Sequence, residues 1–168
     1  MTETPANRIG AWHIRRSERE IKDENELRSI LKNGRYATIG LSKEDEPYVV
    51  TLSYGYDPFE NVLFFHCAKE GQKMDFLRSN PRVCATIIED DGFDSGSCDH
   101  AYRSVVLRGT MHIINDRIEI DRGIRLMIEQ QEKKNAAHFY EKLKPGNKSY
   151  DNLQLLKMTV DSMTGKAR

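Results

Sequence analysis

The apolar pattern is densest over residues 62–83, VLFFHCAKEGQKMDFLRSNPRV. Val62, Leu63, Phe64 and Phe65 form a short β-prone run of the kind found in buried strands. His66, Cys67 and Ala68 close it, and Lys69, Glu70 and Gly71 make a turn. From Gln72 the period becomes helical, with Met74, Leu77 and Arg78 three or four apart and Lys73, Phe76 and Leu77 on one flank. Asn80-Pro81 stops the helix, because proline disfavours a helical residue before it, and Arg82-Val83 opens a new strand. A strand, a glycine turn and a helix start carrying Lys73 can together hold an anion, since helix-start amides are unpaired donors.

The same reading extends over the rest of the chain. Residues 1–10 are polar, and residues 11–21 carry Trp12, His13, Arg15, Arg16 and Arg19, either a basic patch or a solvated arm with Trp12 docked on the body. Asp23 is a helix cap with Glu26 as its reciprocal partner; Leu27, Ile30 and Leu31 give that helix its apolar face, and Gly34 ends it. Residues 36–41 and 47–56 pair as a hairpin. Alternation puts Val49, Thr51 and Ser53 on one face and Tyr48, Val50, Leu52 and Tyr54 on the other. The small polar face suits either a flat polar ligand or solvent. Residues 82–89 form a strand and residues 90–100 a polar loop of the length that borders sites. Residues 102–114 form the longest strand, with Gly109 at a bend or bulge. Helices are expected over 121–132, with Ile124, Met127 and Ile128 inward, and over 133–143, with Ala137, Phe139, Tyr140 and Leu143 inward. A last strand covers 153–160, followed by a tail, 161–168.

The fold class is mainly β with peripheral helices: six antiparallel strands in a small closed or nearly closed barrel. Residues 1–22 form an N-terminal arm and 23–168 a single domain, a size that supports a real core. The 26 basic and 26 acidic residues cancel, which argues against a nucleic-acid protein working through a strong positive field. Three cysteines, Cys67, Cys84 and Cys98, without CxxC spacing argue against a disulfide framework and fit a reducing cytoplasm. Nothing resembles a membrane span or signal peptide, so a soluble cytoplasmic protein is expected.

The chemistry-bearing residues narrow the choices. The five histidines, His13, His66, His100, His112 and His138, are scattered without HExxH, so no metal site is expected. His66 and Cys67 are adjacent in a strand and point to opposite faces. Cys67, Ser53 and Ser104 lack a nucleophile motif, and Cys84 reads as a small buried hydrophobe. For phosphate, Lys73 in its strand–turn–helix context is the strongest candidate, Arg103 and Ser104 a second, and Thr164, Gly165 and Lys166 a third that could equally be a frayed tail.

These blocks together resemble the FMN-binding split-barrel superfamily, the fold of pyridoxamine 5'-phosphate oxidase, and within it the nitroimidazole-resistance (Nim-like) proteins. The resemblance is carried by Ile14-Arg15-Arg16 with Arg19-Glu20-Ile21, by Pro47 through Tyr56, and by Phe65-His66-Cys67-Ala68 through Gly71, Lys73, Asp75 and Asn80-Pro81-Arg82-Val83. Tyr102-Arg103-Ser104-Val105 with Gly109, and Met163-Thr164-Gly165-Lys166, complete it. It implies a six-stranded antiparallel split barrel of the FMN-binding type, in a homodimer with two cofactor sites at the interface. It implies that Val49, Val50, Thr51, Leu52 and Ser53 line the isoalloxazine, and that His66, Cys67 and Ala68 flank the ribityl chain and ring. Lys73 is similar to the phosphate-binding lysine; Gln72 stands where the oxidase has a basic residue. Ser104 with Arg103 resembles a partner-subunit contribution, and Thr164, Gly165 and Lys166 a C-terminal clamp. His66 matches a histidine near flavin and substrate, the candidate catalytic residue; a plain ribityl hydrogen bond is its rival role. The implied function is an FMN-dependent oxidoreductase acting on a small aromatic acceptor such as a nitroimidazole, with Trp12, Tyr54, Tyr56, Phe93 and Tyr102 as a flat pocket. The alternative is a flavin- or haem-binding module for storage, sensing or electron relay. No pyridoxine-phosphate recognition cluster is evident, which disfavours pyridoxamine oxidation.

Overall fold

The computed structural model describes residues 14–96, 99–132 and 134–168. Of the expected arm, residues 1–13, with Trp12 and His13, lie outside the described residues, as does Cys98. After a 3-10 turn at Ser17–Arg19, the elements are β1 (Glu20–Ile21), α1 (Glu24–Asn33), β2 (Tyr36–Lys43), β3 (Glu46–Ser53), β4 (Gly55–Asp57), β5 (Val62–Ala68) and α2 (Gln72–Ser79). They continue with β6 (Arg82–Asp94), β7 (Asp99–Ile114), α3 (Arg117–Gln131), α4 (Ala136–Lys142), α5 (Lys148–Asp151) and β8 (Leu153–Ala167).

The strands form one eight-stranded sheet, all antiparallel, in the order β3-β2-β6-β7-β8-β5-β4, with β1 on β8. The count is eight rather than six, and the ladder is an open path rather than a closed ring. Its two ends are neighbours in sequence, separated only by Tyr54. Ser53 still pairs with Tyr36 of β2, whereas Gly55 pairs with Phe64 of β5. The single strand expected over 47–56 therefore changes partners midway, which is how the sheet is split. Gly55 permits the close approach of α3 there: a Cβ would lie 2.5 Å from the Met127 amide nitrogen.

Two apolar clusters hold the sheet. The first packs on one face with Ile39, Leu63, Phe65, Ile87, Leu107 and Leu156, and α1 adds Leu27, Ile30 and Leu31. Each such fully buried side chain contributes about 1.5–3 kcal/mol. The second lies under α3, where Ile124, Met127 and Ile128 meet Phe64, Leu153 and Leu155. β5 is thus covered on both faces, the physical reason for its unbroken Val62–Phe65 run. Asp23 caps α1 by accepting from the Asn25 amide at 2.9 Å, while Glu26 faces Arg103 at 3.6 Å. Gly34 ends α1 with φ −64°, so handedness is not its reason; a Cβ would meet the Tyr54 hydroxyl at 2.4 Å.

Several local expectations change. Residues 90–100 are not one loop: β6 runs to Asp94 and β7 starts at Asp99, with a register irregularity between Asp90 and Phe93. The tail does not fray, because β8 continues to Ala167 along β7 and β1. The bulge expected at Gly109 is present as a register shift opposite Val160–Ser162. There a Cβ would lie 1.9 Å from the Thr159 carbonyl oxygen. In α4 it is Ala136, not Ala137, that joins Phe139, Tyr140 and Leu143 against the second cluster. Cys84 is exposed rather than buried, because Val83, Ala85 and Ile87 take the inner face of β6. Among the described residues no helix is long and apolar enough to cross a membrane.

Candidate functional site

The end of β5, the start of α2 and the segment α4–α5 enclose a cleft of about 530 Å³. Leu52, Phe139, Leu143 and Leu153 supply apolar walls, and His66, Cys67, Ala68, Lys73 and Lys142 supply the chemistry. β5 delivers the first group because its ladder with β8 runs to Ala68, opposite Leu153. Gly71 then turns the chain with φ +121°, a conformation only glycine adopts without strain, and α2 starts without a side-chain cap. Lys73 sits in the first turn of that helix. Neither Lys73 nor Lys142 pairs with a carboxylate among the described residues. Arg78, at the other end of α2, is held by Glu70 at 3.0 Å and Asp75 at 3.7 Å. Two ammonium groups without a carboxylate partner among the described residues, one of them in the first turn of a helix without a side-chain cap, could hold a phosphate dianion.

His66 opens to the cleft but is crowded by protein. Loss of water lowers its pKa below the ordinary value of 6.5, so the ring is neutral at pH 7. Cys67 faces the first cluster, its Sγ 3.7 Å from Met74 Sδ. Burial pushes its thiol pKa up, only partly offset by Lys73, so it is a poor nucleophile. Gln72 is exposed at the helix start. Lys69 is occupied elsewhere, donating to the Asp151 carbonyl that ends α5.

A smaller, adjoining cavity of about 190 Å³ lies between β3, β5 and α3. Its walls are Ser53, His66, Ile124, Met127, Ile128 and Gln131. Along β3, Leu52 lines the larger cleft and Ser53 the smaller, while Val50 packs on the first cluster. Val49 and Thr51 project from the opposite, uncovered face, where the Thr51 hydroxyl meets that of Thr38 at 3.1 Å.

The remaining predicted residues gather elsewhere. The β7–β8 ladder pairs Ser104 with Lys166, Val105 with Gly165 and Val106 with Thr164. Arg103 lies 2.7 Å from Glu89. Lys166 stands over the Tyr102 ring at 5.8 Å. Leu153 and Thr164 are separated along β8 by roughly 36 Å at about 3.3 Å per residue. Within one chain, then, Thr164, Gly165, Lys166, Arg103 and Ser104 do not reach the cleft of Lys73. Nor do the expected ring-stacking aromatics: Tyr54 is fully buried with its hydroxyl on the Leu31 carbonyl at 2.7 Å. Tyr56 is bound by Arg28 and Asn61, and Phe93 lies on the exposed β6–β7 arm against His100. The cleft's aromatic wall is Phe139. Sequence reasoning assigned Phe139 and Leu143 to the core and did not single out Lys142, Ser149 or Asn152; only the docking of α4–α5 over β5 brings them in. Among the described residues no three His, Cys, Asp or Glu side chains are grouped to hold a metal ion.

Comparison with known proteins sets this geometry in a family. A family model described as Pyridoxamine 5'-phosphate oxidase matches residues 23–167. The chain is 26% identical to a candidate 5-nitroimidazole antibiotic resistance protein from Bacteroides thetaiotaomicron, with a TM-score of 0.72 over 88% of this chain and 85% of that one. An FAD-binding protein from Mesorhizobium loti superposes with a TM-score of 0.65 at 21% identity, over 89% and 97% of the two chains. The flavocytochrome Anf3 from Azotobacter vinelandii does so with 0.74 at 18% identity, over 93% and 72%. These last two likenesses show the fold. A curated relative from Rhizobium meliloti, uncharacterised, is 29% identical over 89 residues, and the match spans about half of each protein's length. The match over nearly the whole described domain, together with the split eight-stranded sheet, shows that the chain belongs to the pyridoxamine 5'-phosphate oxidase family, within the FMN-binding split-barrel superfamily related to Nim-like flavoproteins.

Proposed function

We propose that this protein is an FMN-binding flavoprotein, an oxidoreductase that passes electrons to a small aromatic acceptor. The observation that carries this reading is the cleft lined by Lys142 and by Lys73, in the first turn of the uncapped helix α2, both without acidic partners among the described residues. Family membership supports a flavin, and the donor set fits FMN: two lysines and open amides for the phosphate, an apolar wall of Leu52, Phe139, Leu143 and Leu153 for a ring system. When bound, FMN would supply the two-electron chemistry. The chain's own residues would bind and shield it. Lys73 and Lys142 hold the anionic end, and the apolar wall excludes water. The neutral His66 ring offers one N–H and one lone pair at the boundary of the two cavities, so it can hold a proton or orient an acceptor. Two copies would join through the uncovered sheet face. Val49 and Ile88 are 63% and 59% exposed there, beside Thr38, Thr51 and Thr86, a surface poor in charge.

The purified protein is expected to show paired flavin absorption bands, and its reduced form to reoxidise faster with an added nitroaromatic than with buffer. An intense Soret band would replace this reading with haem binding. A colourless protein that ignores added FMN would end it.

A further inference from the structure

The two helices that wall the larger cleft are held more lightly than the other three. α1, α2 and α3 each bury three or four side chains, whereas α4 and α5 bury none completely. Residues 136–151 rest on the second cluster through the partly buried Ala136, Phe139, Tyr140, Leu143 and Tyr150. Their polar ties go to two sides. On α3, Glu129 accepts from the Tyr140 hydroxyl at 3.4 Å and Asp121 from the Tyr150 hydroxyl at 2.8 Å. On the other wall, Lys69, in the turn between β5 and α2, donates to the Asp151 carbonyl. An element with few buried apolar contacts opens locally at a free energy below that of global unfolding.

This segment also brings one of the cleft's two cations. Lys142 belongs to α4 and Lys73 to α2, and both line the same cleft without a carboxylate partner among the described residues. Closing residues 136–151 over the cleft therefore brings like charges into one space, where they repel. A dianion between them turns that repulsion into two charge-assisted attractions. Such a ligand binds the closed arrangement better than the open one, and by that difference shifts the population toward it.

We propose that residues 136–151 are a strap, drawn shut over the cleft by an anion that bridges Lys142 on the strap to Lys73 on the body. Lys69 is its latch, a positioning residue that holds the strap's backbone and not the ligand. A phosphate closes the strap whether free or at the end of FMN. Closure rests on the phosphate part of the reading above and not on its ring system.

Amide hydrogen exchange of the full chain, read by peptide mass over residues 136–151, tests this. At ten times its dissociation constant, inorganic phosphate should slow exchange there about ten-fold. Chloride at equal ionic strength should not, and residues 36–43 of β2 should keep their rate. FMN should act as phosphate does; riboflavin, which lacks the phosphate, should not. Lys142→Met should abolish the slowing and Lys142→Arg should retain it. Lys69→Met should speed exchange in the strap about ten-fold, the weight of a hydrogen bond from a charged donor, and leave the effect of phosphate in place. Phosphate that does not slow the strap, or slows it only as chloride does, overturns the proposal. Failure of the flavin reading is distinguishable: FMN would not titrate, while inorganic phosphate would still protect residues 136–151. FMN that titrates and leaves the strap unprotected overturns closure alone.

Discussion

Gly71-Gln72-Lys73 and Thr164-Gly165-Lys166 look alike in the sequence, each a glycine closely followed by a lysine, yet the fold uses them for different ends. At Gly71 a Cβ would meet nothing within 4 Å; what excludes a side chain is φ +121°. At Gly165 the reason is space: a Cβ would lie 2.1 Å from Leu27 Cδ2 and 3.0 Å from Ile21 Cβ. The first glycine aims a chain reversal and leaves Lys73 facing a cleft. The second lets α1 and β1 settle onto β8, and turns its lysine outward over Tyr102. A short glycine–lysine motif therefore does not by itself name an anion site. What separates the two is the helix start without a side-chain cap beside Lys73, which the β8 strand at Lys166 lacks.

Substitutions can sharpen this contrast. Lys73→Ala should weaken FMN binding about ten- to hundred-fold, the size of one charge-assisted bond of about 1.5–3 kcal/mol. The loss should shrink at high salt, where the wild-type contact is itself screened. Lys166→Ala should cost far less in the same fluorescence titration. Equal losses would mean that Lys166 of a second copy reaches the cleft, and the two segments would then share one task. Gly165→Ala overpacks the Leu27–Ile21 contact and should destabilise the fold by about 1–3 kcal/mol. At this chain length that lowers Tm by about 2–4 °C for each kcal/mol. Flavin affinity of the folded protein should change little. An unchanged Tm would refute the packing account of that glycine.

The smallest effect is electrostatic. His66 has a folded-state pKa below its ordinary value of 6.5, so below that value the unfolded chain binds more protons than the folded one. Stability should fall as pH drops through 6.5 and level off below the depressed folded value. His66→Gln should flatten that window in urea melts taken across it. A wild-type slope that survives in His66→Gln would place the titrating group outside the cleft.

Much of the fold was legible because it follows from local periodicity. The inward faces of α1, β3 and α3, the buried run of β5 and the Asp23 cap are set by spacing and side-chain type. Errors arose where one stretch answers to two neighbours. Residues 47–56 carry a single alternating pattern, and nothing in it says that pairing passes from β2 to β5 at Tyr54. The C-terminal DSMTGKA segment is polar and glycine-bearing, so it reads as a tail. It is ordered because β7 offers backbone partners and Leu27 needs the space that Gly165 leaves.

The site divides the same way. Sequence alone determined Lys73 and His66 as neighbours of a strand–turn–helix junction, because those positions are fixed by a dozen contiguous residues. Only the tertiary structure decided that Lys142 and Phe139, some seventy residues later, close over them while Tyr54 and Tyr56 turn into the interior. The reason is that side-chain direction within an element follows from its period. Which elements face one another depends on how the whole chain shares out its apolar surface.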